Sequence, residues 1–334
     1  MQFLKLSKSK QLVVINQLQE ILKLSPAAIE KDLWVTAVLK ALFSLPYAKN
    51  LSFKGGTALS KCWKLIERFS EDVDIAVNRE YLGFIGQLSK TQINDRLRRA
   101  ACSFVRETLQ FDLAKQLENN GINSADFSVK VNITPISTTD PEIIEVEYQS
   151  LFDKTSYIKS KVIVEVSGRS MREPVESVEL QSILDEALPN ETFSEKSFTV
   201  QAVVPQRTFI EKICLLHEEF AKPKDIMRSE RMSRHLYDVV KILDTPIAAE
   251  ALANKDLYNS VVEHRRVFVG LKGFDYDTLA PKIINIVPHE NVIDLWRADY
   301  ENMQGTMIYG DSLPFNKLID KIQQLNEQIN NIDW

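Results

Sequence analysis

Hydrophobic positions at the start of the chain recur with helical spacing. Between residues 8 and 45 this spacing predicts an apolar stripe along one helix, formed by Leu12, Ile15, Leu18, Ile21 and Leu22. A second helix is predicted after Ser25, because Pro26 is well tolerated in the first turn of a helix. Two helices are therefore expected before the first strand.

From about residue 51 to residue 200 the pattern changes to that of short strands separated by helical stretches. The predicted strands are Leu51–Lys54, Val73–Val77, Phe127–Ile133, Ile143–Tyr148, Lys161–Ser167 and Phe198–Val203. In two of them, those starting at 127 and 143, apolar residues alternate with polar ones, as in half-buried strands. This alternation favours a sheet that is at least partly antiparallel.

Beyond Pro205 only helical spacing remains. Helices are predicted at about 206–221, 229–244, 256–270, 289–303 and 314–330. We therefore predict an α+β fold, with a mixed-sheet domain and its N-terminal helices at residues 1–203 and an all-helical domain at residues 204–334.

Composition limits the class of protein. Hydrophobic residues make up 44% of the chain and charged residues 26%, as in a soluble globular protein. The three cysteines, Cys62, Cys102 and Cys214, form neither a zinc-binding spacing nor an even disulfide framework, so we expect buried free thiols in a reducing compartment. No apolar stretch approaches the ~20 residues that a bilayer span needs, so we expect a cytoplasmic protein without a membrane partner.

A net charge of -5 argues against a surface that binds nucleic acid over its whole extent. Any RNA or DNA contact must then be local. The candidate basic clusters are Arg96–Arg99, Arg228–Arg234 and His264–Arg266, and for each a solvated helix face is the more common explanation.

The first segment with chemical character is Leu51–Lys61. It predicts a strand, a Gly55-Gly56 turn and a helix that opens at Thr57. Adjacent glycines let the backbone approach a ligand closely, and free N–H groups at a helix start suit phosphate oxygens. The residues around Lys61 do not match a Walker A loop. Taken alone, the turn is as well explained by a purely structural role.

The second such segment is Arg68–Val77, in which Asp72 and Asp74 open an apolar strand. Residues two apart project from the same face of a strand, so both carboxylates can face one point. Such a pair favours a divalent cation with hard oxygen ligands, Mg²⁺ or Mn²⁺. Taken alone, this pattern is also typical of surface capping or turn residues.

Together the two segments form a more specific pattern, because a phosphate-binding turn beside a metal site is what nucleotide transfer requires. A third acid would complete the metal site, and Glu165 is the best candidate because it interrupts a β-branched run. The alternative for Glu165 is an edge-strand carboxylate paired with Lys161 or Arg169. Glu145 and Glu147 are the next candidates for the third acid.

The sequence resembles the AbiEii/AbiGii toxin family, which includes the MenT-type toxins. The first family motif is matched by Phe53–Lys61 together with Arg68–Asp74. Further matches follow in order along nearly the whole chain, at Glu30–Thr36, Arg207–Lys212, Leu216-His217, Ser233–Asp238, Leu295–Tyr300 and Met303.

This resemblance implies a polymerase-β-like nucleotidyltransferase domain followed by a helical domain. It also implies the toxin of a toxin–antitoxin or phage-defence system, with a cognate antitoxin as partner and transfer of a nucleotide from an NTP to a tRNA 3′ end. The implied metal ligands are Asp72 and Asp74, and Lys212 and Asp238 match the essential Lys and Asp of the later motifs.

From the residues alone, Lys212 and Asp238 support weaker statements. Lys212 can neutralise a triphosphate, and Asp238 can orient Lys212 or contact the substrate. The alternatives are a salt bridge from Lys212 to Glu211 or Glu218, and an ordinary ion pair within the Arg234–Asp238 helical turn. His217 and His235 are interpreted as packed residues outside catalysis.

We therefore predict a metal-dependent nucleotidyltransferase that acts on an RNA such as tRNA. Lys54, Gly55, Gly56, Thr57, Ser60 and Lys212 are the predicted nucleotide-binding residues. The alternatives are transfer of a nucleotidyl or phosphoryl group to a protein or small molecule, and a nucleotide-binding module without turnover.

Overall fold

A computed structural model describes residues 1–70, 72–132, 142–152 and 159–334. Glu71 of the first motif and Ile133 at the end of a predicted strand lie outside these ranges. Backbone contacts divide the chain into two compact units. The first comprises Met1–Cys62 and Phe69–Val203, and the second comprises Trp63–Arg68 and Val204–Trp334.

The first unit contains a sheet of seven strands. They are β1 Leu51–Lys54, β2 Asp72–Val77, β3 Phe127–Asn132, β4 Glu142–Tyr148, β5 Lys161–Ser167, β6 Val175–Leu180 and β7 Phe198–Val203. Their order is β3-β4-β5-β2-β1-β7-β6. Only the pairs β2–β5 and β1–β7 are parallel among these neighbours, which confirms the predicted mixed sheet.

One strand, β6, was not predicted. Val175 and Val178 are three residues apart, and Glu176 and Glu179 lie between and beyond them, so the segment lacks the two-residue alternation of a half-buried strand. β6 is at the edge of the sheet and pairs only with β7 among the described strands. An edge strand needs less apolar surface, and its pattern is correspondingly weak.

The helices of the first unit are α1 Lys8–Leu22, α2 Pro26–Phe43, α3 Gly55–Lys61, α4 Arg98–Phe104, α5 Gln110–Asn119 and α6 Ile183–Ala187. The predicted stripe on α1 is partly wrong, because Ile21 is 65% exposed while Gln11 is buried. The Gln11 side-chain amide donates to the carbonyls of Leu4 and Leu6, so a polar residue occupies a core position of the helix.

α2 packs on the sheet as a core helix. Fourteen of its 18 residues are buried, so it is enclosed on nearly all sides rather than amphipathic. It contacts β5 and β7. On one face of β2 and β5 the side chains are buried: Val73, Ile75, Val162, Val164 and Val166. On the other face five side chains are only partly buried: Asp72, Asp74, Lys161, Ile163 and Glu165. The sheet therefore has one apolar face and one polar face.

The second unit is helical after residue 204, as predicted. Its helices are α7 Pro205–Phe220, α8 Ser233–Leu243, α9 Pro246–Ala253, α10 Lys255–His264, α11 Ile293–Thr306 and α12 Phe315–Asn330. The eight-residue helix α9 was not predicted. α10 continues as a π-helical turn from Arg265 to Val269 and ends at Gly270 in the left-handed conformation. Within the described ranges, no helix is both long and apolar enough to cross a bilayer.

All three cysteines are free thiols, as predicted. Cys102 and Cys214 are buried, but Cys62 is only partly buried because it follows α3 near the surface.

Candidate active site

The two aspartates of the second motif lie on the polar face of β2. Asp72 and Asp74 are partly buried, and the intervening Val73 and the following Ile75 are buried, so the carboxylates share one side of the strand. As predicted, the Asp72 and Asp74 side chains lie on the same face of the strand.

Glu165 lies beside this pair on the neighbouring strand. β5 runs parallel to β2, and the register places Glu165 opposite Asp74 and Ile163 opposite Asp72. Neighbouring strands are about 4.8 Å apart, and residues in register point to the same face. β5 lies between β4 and β2, so the interpretation of Glu165 as an edge-strand carboxylate is wrong.

The other candidates for a third acid lie farther along the face. Glu145 of β4 is opposite Ile163, and Glu147 is opposite Lys161. Glu145 forms an ion pair with Lys161 at 2.5 Å, and Glu147 forms one with Lys130 at 2.9 Å. By register, Glu165 is therefore the nearest of the three acids to Asp74.

Gly55 is required at its position by the carboxylate of Asp74. Gly55 has a φ angle of +78°, which side chains rarely adopt, and a Cβ atom there would overlap the Asp74 carboxylate. The backbone of the Gly55-Gly56 turn and the second acid of β2 are thus in direct contact. The register of β1 and β2 gives the same result, because Lys54 is opposite Asp74.

The polar residues around this turn hold it in place. The buried Thr57 hydroxyl donates to the carbonyl oxygen of Asp72, which ties α3 to the start of β2. The Ser60 hydroxyl donates to the Thr57 carbonyl at 3.2 Å. The Lys54 ammonium group donates to the Ser170 hydroxyl at 3.3 Å. Thr57 therefore has a clear structural role in addition to the predicted phosphate contact.

The three acids have the chemistry of a magnesium ligand set. Carboxylate oxygens are the hard donors that Mg²⁺ prefers, and the ion usually takes one or two protein carboxylates and completes its shell with water and substrate phosphates. Asp72, Asp74 and Glu165 lie on one face of the sheet and carry the donor type that such an ion takes. In the described ranges, no three or more His, Cys, Asp or Glu side chains are already gathered into a metal-binding group.

The predicted Lys212–Asp238 pair is formed inside the second unit. The ammonium group of Lys212 on α7 is 2.8 Å from the carboxylate of Asp238 on α8. The two alternative partners proposed for Lys212 form other ion pairs, because Glu211 pairs with Arg207 and Glu218 pairs with Arg265.

Arg68 is a member of this cluster for which no role was predicted from the sequence. Its guanidinium group binds both carboxylate oxygens of Asp238, with Nε–Oδ1 and Nη2–Oδ2 distances of 2.6 and 2.7 Å. Arg68 is 2% exposed and Asp238 is 0% exposed. The one sequence feature that could have indicated a role for Arg68 is its position in the first motif, four residues before Asp72. Its partner 170 residues later was not visible in the sequence.

The charges of this cluster determine its protonation. Burial alone would raise the pKa of Asp238, but Arg68 and Lys212 outweigh burial and hold that pKa well below its usual range. Burial lowers the pKa of Lys212 against the opposing effect of Asp238. Burial and the positive charges of Lys212 and Arg234 lower the pKa of His235 well below 6.5. His235 is therefore neutral at pH 7, and its Nδ1 atom is 3.4 Å from the Lys212 ammonium group.

The candidate basic clusters largely pair with acids of the protein itself. Ion pairs join Arg99 to Asp95, Arg228 to Glu219, Arg265 to Glu218 and Arg266 to Asp277. Arg99 and Arg266 lie on helices with exposed side chains, so the structure supports the interpretation as solvated helix faces for these two. Arg228 lies outside the helices, and the Arg265–Glu218 pair is nearly buried.

With this geometry established, comparison with known proteins gives the family. A family model described as nucleotidyl transferase AbiEii toxin, type IV toxin–antitoxin system, matches residues 37–324. The chain belongs to the AbiEii family. It is accordingly a nucleotidyltransferase of a toxin family, and the resemblance of the sequence motifs is confirmed.

Solved structures show the same fold. The chain is similar to MenT4, a nucleotidyltransferase toxin from Mycobacterium tuberculosis H37Rv, with a TM-score of 0.50 and 15% identity over 92% of this chain and 85% of the other. A comparison with curated proteins gives no match. The α+β fold with a mixed-sheet domain and a helical C-terminal domain is thereby confirmed for this AbiEii chain.

Proposed function

We propose that this AbiEii protein transfers a nucleoside monophosphate from an NTP to the 3′ end of an RNA, most specifically a tRNA, with Mg²⁺ or Mn²⁺ as cofactor. The observation that carries the proposal is the contact between the Gly55 backbone and the Asp74 carboxylate, with Glu165 in register beside Asp74. Membership of a nucleotidyltransferase family supports it.

In this proposal Asp72, Asp74 and Glu165 hold the metal. The metal would withdraw charge from the triphosphate and lower the pKa of the attacking hydroxyl. The 3′-hydroxyl oxygen of the acceptor forms a bond to the α-phosphorus, the bond from that phosphorus to the β-phosphate oxygen breaks, pyrophosphate leaves, and the hydroxyl proton passes to solvent.

The proposed nucleotide-binding residues are Lys54, Gly55, Gly56, Thr57, Ser60 and Lys212. The glycine turn suits phosphates because it brings backbone N–H groups close without a side chain in between. Lys212 is the proposed cation for the phosphates. Asp238 is fully buried and contacts both Arg68 and Lys212, so we assign it the role of holding these two cations rather than of touching the substrate.

A labelled-nucleotide assay tests the proposal. Purified protein is incubated with total tRNA, Mg²⁺ or Mn²⁺, and each of the four α-labelled NTPs in turn. We expect label to enter tRNA with at least one NTP, and EDTA to abolish the transfer. The proposal fails if no NTP gives labelled tRNA with either metal, or if Asp74→Asn leaves transfer intact.

The alternative acceptors are distinguished in the same reaction. Intact-mass measurement of the tRNA, of the protein itself and of the added small molecules separates a nucleotidyl adduct from a phosphoryl adduct by mass. If the protein becomes labelled and the tRNA does not, the acceptor is a protein and not an RNA. Family membership also implies a cognate antitoxin protein, which we propose as the natural partner.

A further inference from the structure

Three consecutive charged residues are buried in the core helix α2. Glu30, Lys31 and Asp32 are 3%, 1% and 7% exposed. Burying an ionised side chain is costly unless it is paired and hydrogen-bonded. Successive residues of a helix point about 100° apart, so the three side chains leave α2 in three directions.

Each of these side chains has a defined partner far away in the sequence. The Lys31 ammonium group donates to the carbonyls of Lys159, at 3.1 Å, and of Lys161 at the start of β5. Glu30 accepts from the Leu151 amide at 2.7 Å and from the Ser150 hydroxyl, in the segment that follows β4.

Asp32 serves the segment that carries the Gly55-Gly56 turn. One of its carboxylate oxygens forms an ion pair with Lys61, the last residue of α3, and the other accepts from the Ile183 amide at 2.8 Å. The Lys61 and Asp32 side chains are 9% and 8% exposed. The Lys61 ammonium group is therefore held in a nearly buried ion pair with Asp32.

α3 is consequently held at both ends. Thr57 ties its first turn to the Asp72 carbonyl, and Lys61 ties its last residue to Asp32. The seven-residue helix has too few backbone hydrogen bonds to hold its own position. Gly55 must nevertheless stay in contact with the Asp74 carboxylate, where a displacement of even one ångström matters for a transfer reaction.

We propose that Asp32 is a positioning residue for nucleotide transfer, acting through Lys61 to hold α3 and thus the Gly55-Gly56 turn against Asp74. This inference rests on the proposed function in one respect only, that the turn binds the nucleotide. A corollary is that Lys61 contributes to nucleotide binding through its ion pair with Asp32 and makes no contact with phosphate.

The test compares Asp32→Asn with Glu30→Gln, which removes a similarly buried charge from the same helix. Glu30 contacts the segment at 150–151 instead of α3. Two quantities are measured on the full chain: the KM for the NTP, and amide hydrogen exchange over residues 55–62 without nucleotide. We expect Asp32→Asn to raise KM by about 10-fold, with a smaller change in kcat, and to accelerate exchange at 55–62. Glu30→Gln should leave both within about 2-fold.

A double-mutant cycle with Lys61→Gln tests the corollary. If Lys61 acts only through Asp32, Lys61→Gln and the double variant should each give the same KM as Asp32→Asn. A larger, additive effect of Lys61→Gln would show that Lys61 contacts phosphate and would overturn the corollary. Should Asp32→Asn fail to fold, Lys61→Gln removes the same ion pair from the α3 side and carries both readouts.

The two proposals fail in different ways. Equal exchange at 55–62 and equal KM in Asp32→Asn and Glu30→Gln would overturn the positioning role. Absence of any nucleotide transfer by the wild-type chain would overturn the proposed function, and the exchange measurement would still decide whether Asp32 holds α3.

Discussion

At the scale of single residues, the acids of the polar sheet face differ in their distance from Asp74. Asp72 and Asp74 share β2, and Glu165 is directly beside Asp74. Glu147 is opposite Lys161, which is four residues before Glu165 in β5. Replacing Asp74 or Glu165 by its amide should lower kcat/KM by about 100-fold or more, as removal of a preorganised electrostatic group does. Glu147→Gln should change it by less than about 3-fold. A large effect of Glu147→Gln with a small one of Glu165→Gln would exchange their roles.

His235 predicts a dependence of stability on pH. It is surrounded by Lys212, Arg234, Arg68 and Asp238, and its pKa in the folded chain lies well below 6.5. Below pH 6.5 the unfolded chain therefore binds a proton that the folded chain does not, so stability is fully present above pH 6.5 and is lost as pH falls. The loss from this residue can reach about 1.4 kcal/mol for each pH unit below 6.5.

Urea unfolding of wild type and His235→Gln at pH 7.5 and 5.5 measures this dependence. The wild type should lose more stability between the two values than the variant does. His217, whose pKa is also lowered by burial, keeps part of the dependence in both proteins. Equal losses in the two proteins would show that His235 is not held neutral.

At the residue scale, the sequence predicted where side chains lie when the signal was local, and the catalytic and metal-binding roles of those residues stay predictions. The Asp72 and Asp74 pair needed only the alternation of a strand, and Lys212 and Asp238 needed only the family motifs. Arg68 lies within the first family motif, but its role depends on Asp238, 170 residues away. No local pattern encodes a bidentate ion pair between such distant residues, because it exists only after folding.

At the scale of elements, the strands that form the site were predicted almost to the residue. β1, β5 and β7 have the predicted bounds, and β2 and β4 each begin one residue earlier. β6 and α9 were missed because an edge strand and a short helix carry weak periodicity. The orientation of α1 was partly wrong because Gln11 is satisfied by backbone carbonyls and occupies a buried position.

The Gly55-Gly56 pair, which follows β1 directly and begins α3, gives a prediction at this scale. Gly55→Ala places a Cβ at a positive φ angle and against the Asp74 carboxylate, so it should both destabilise the protein and lower transfer strongly. Gly305→Ala is the matched control, because Gly305 is in α11 with open space around it and alanine is the better helix former. Thermal unfolding and labelled-nucleotide transfer are measured for both. Normal transfer by Gly55→Ala would contradict the close contact at the turn.

At the scale of the whole molecule, the AbiEii family model matches residues 37–324, and the fold is similar to that of MenT4 at 15% identity. The sheet order that brings Glu165 beside Asp74 was not deducible from strand positions, because β2 and β5 are separated by β3 and β4 in the sequence and are neighbours in the sheet. The fold class could be predicted from periodicity. The assembly of the candidate site required the topology.

We propose that the polar face of the sheet at Asp74 performs nucleotide transfer to RNA. Expression of wild type, Asp74→Asn and Glu176→Gln in a bacterium, followed by sequencing of RNA 3′ ends, tests it most directly. Glu176 is an exposed carboxylate on edge strand β6 of the same sheet and serves as the control. We predict untemplated 3′ nucleotides on tRNA with wild type and Glu176→Gln and none with Asp74→Asn. Unaltered 3′ ends with wild type, or the same additions with Asp74→Asn, would contradict the claim.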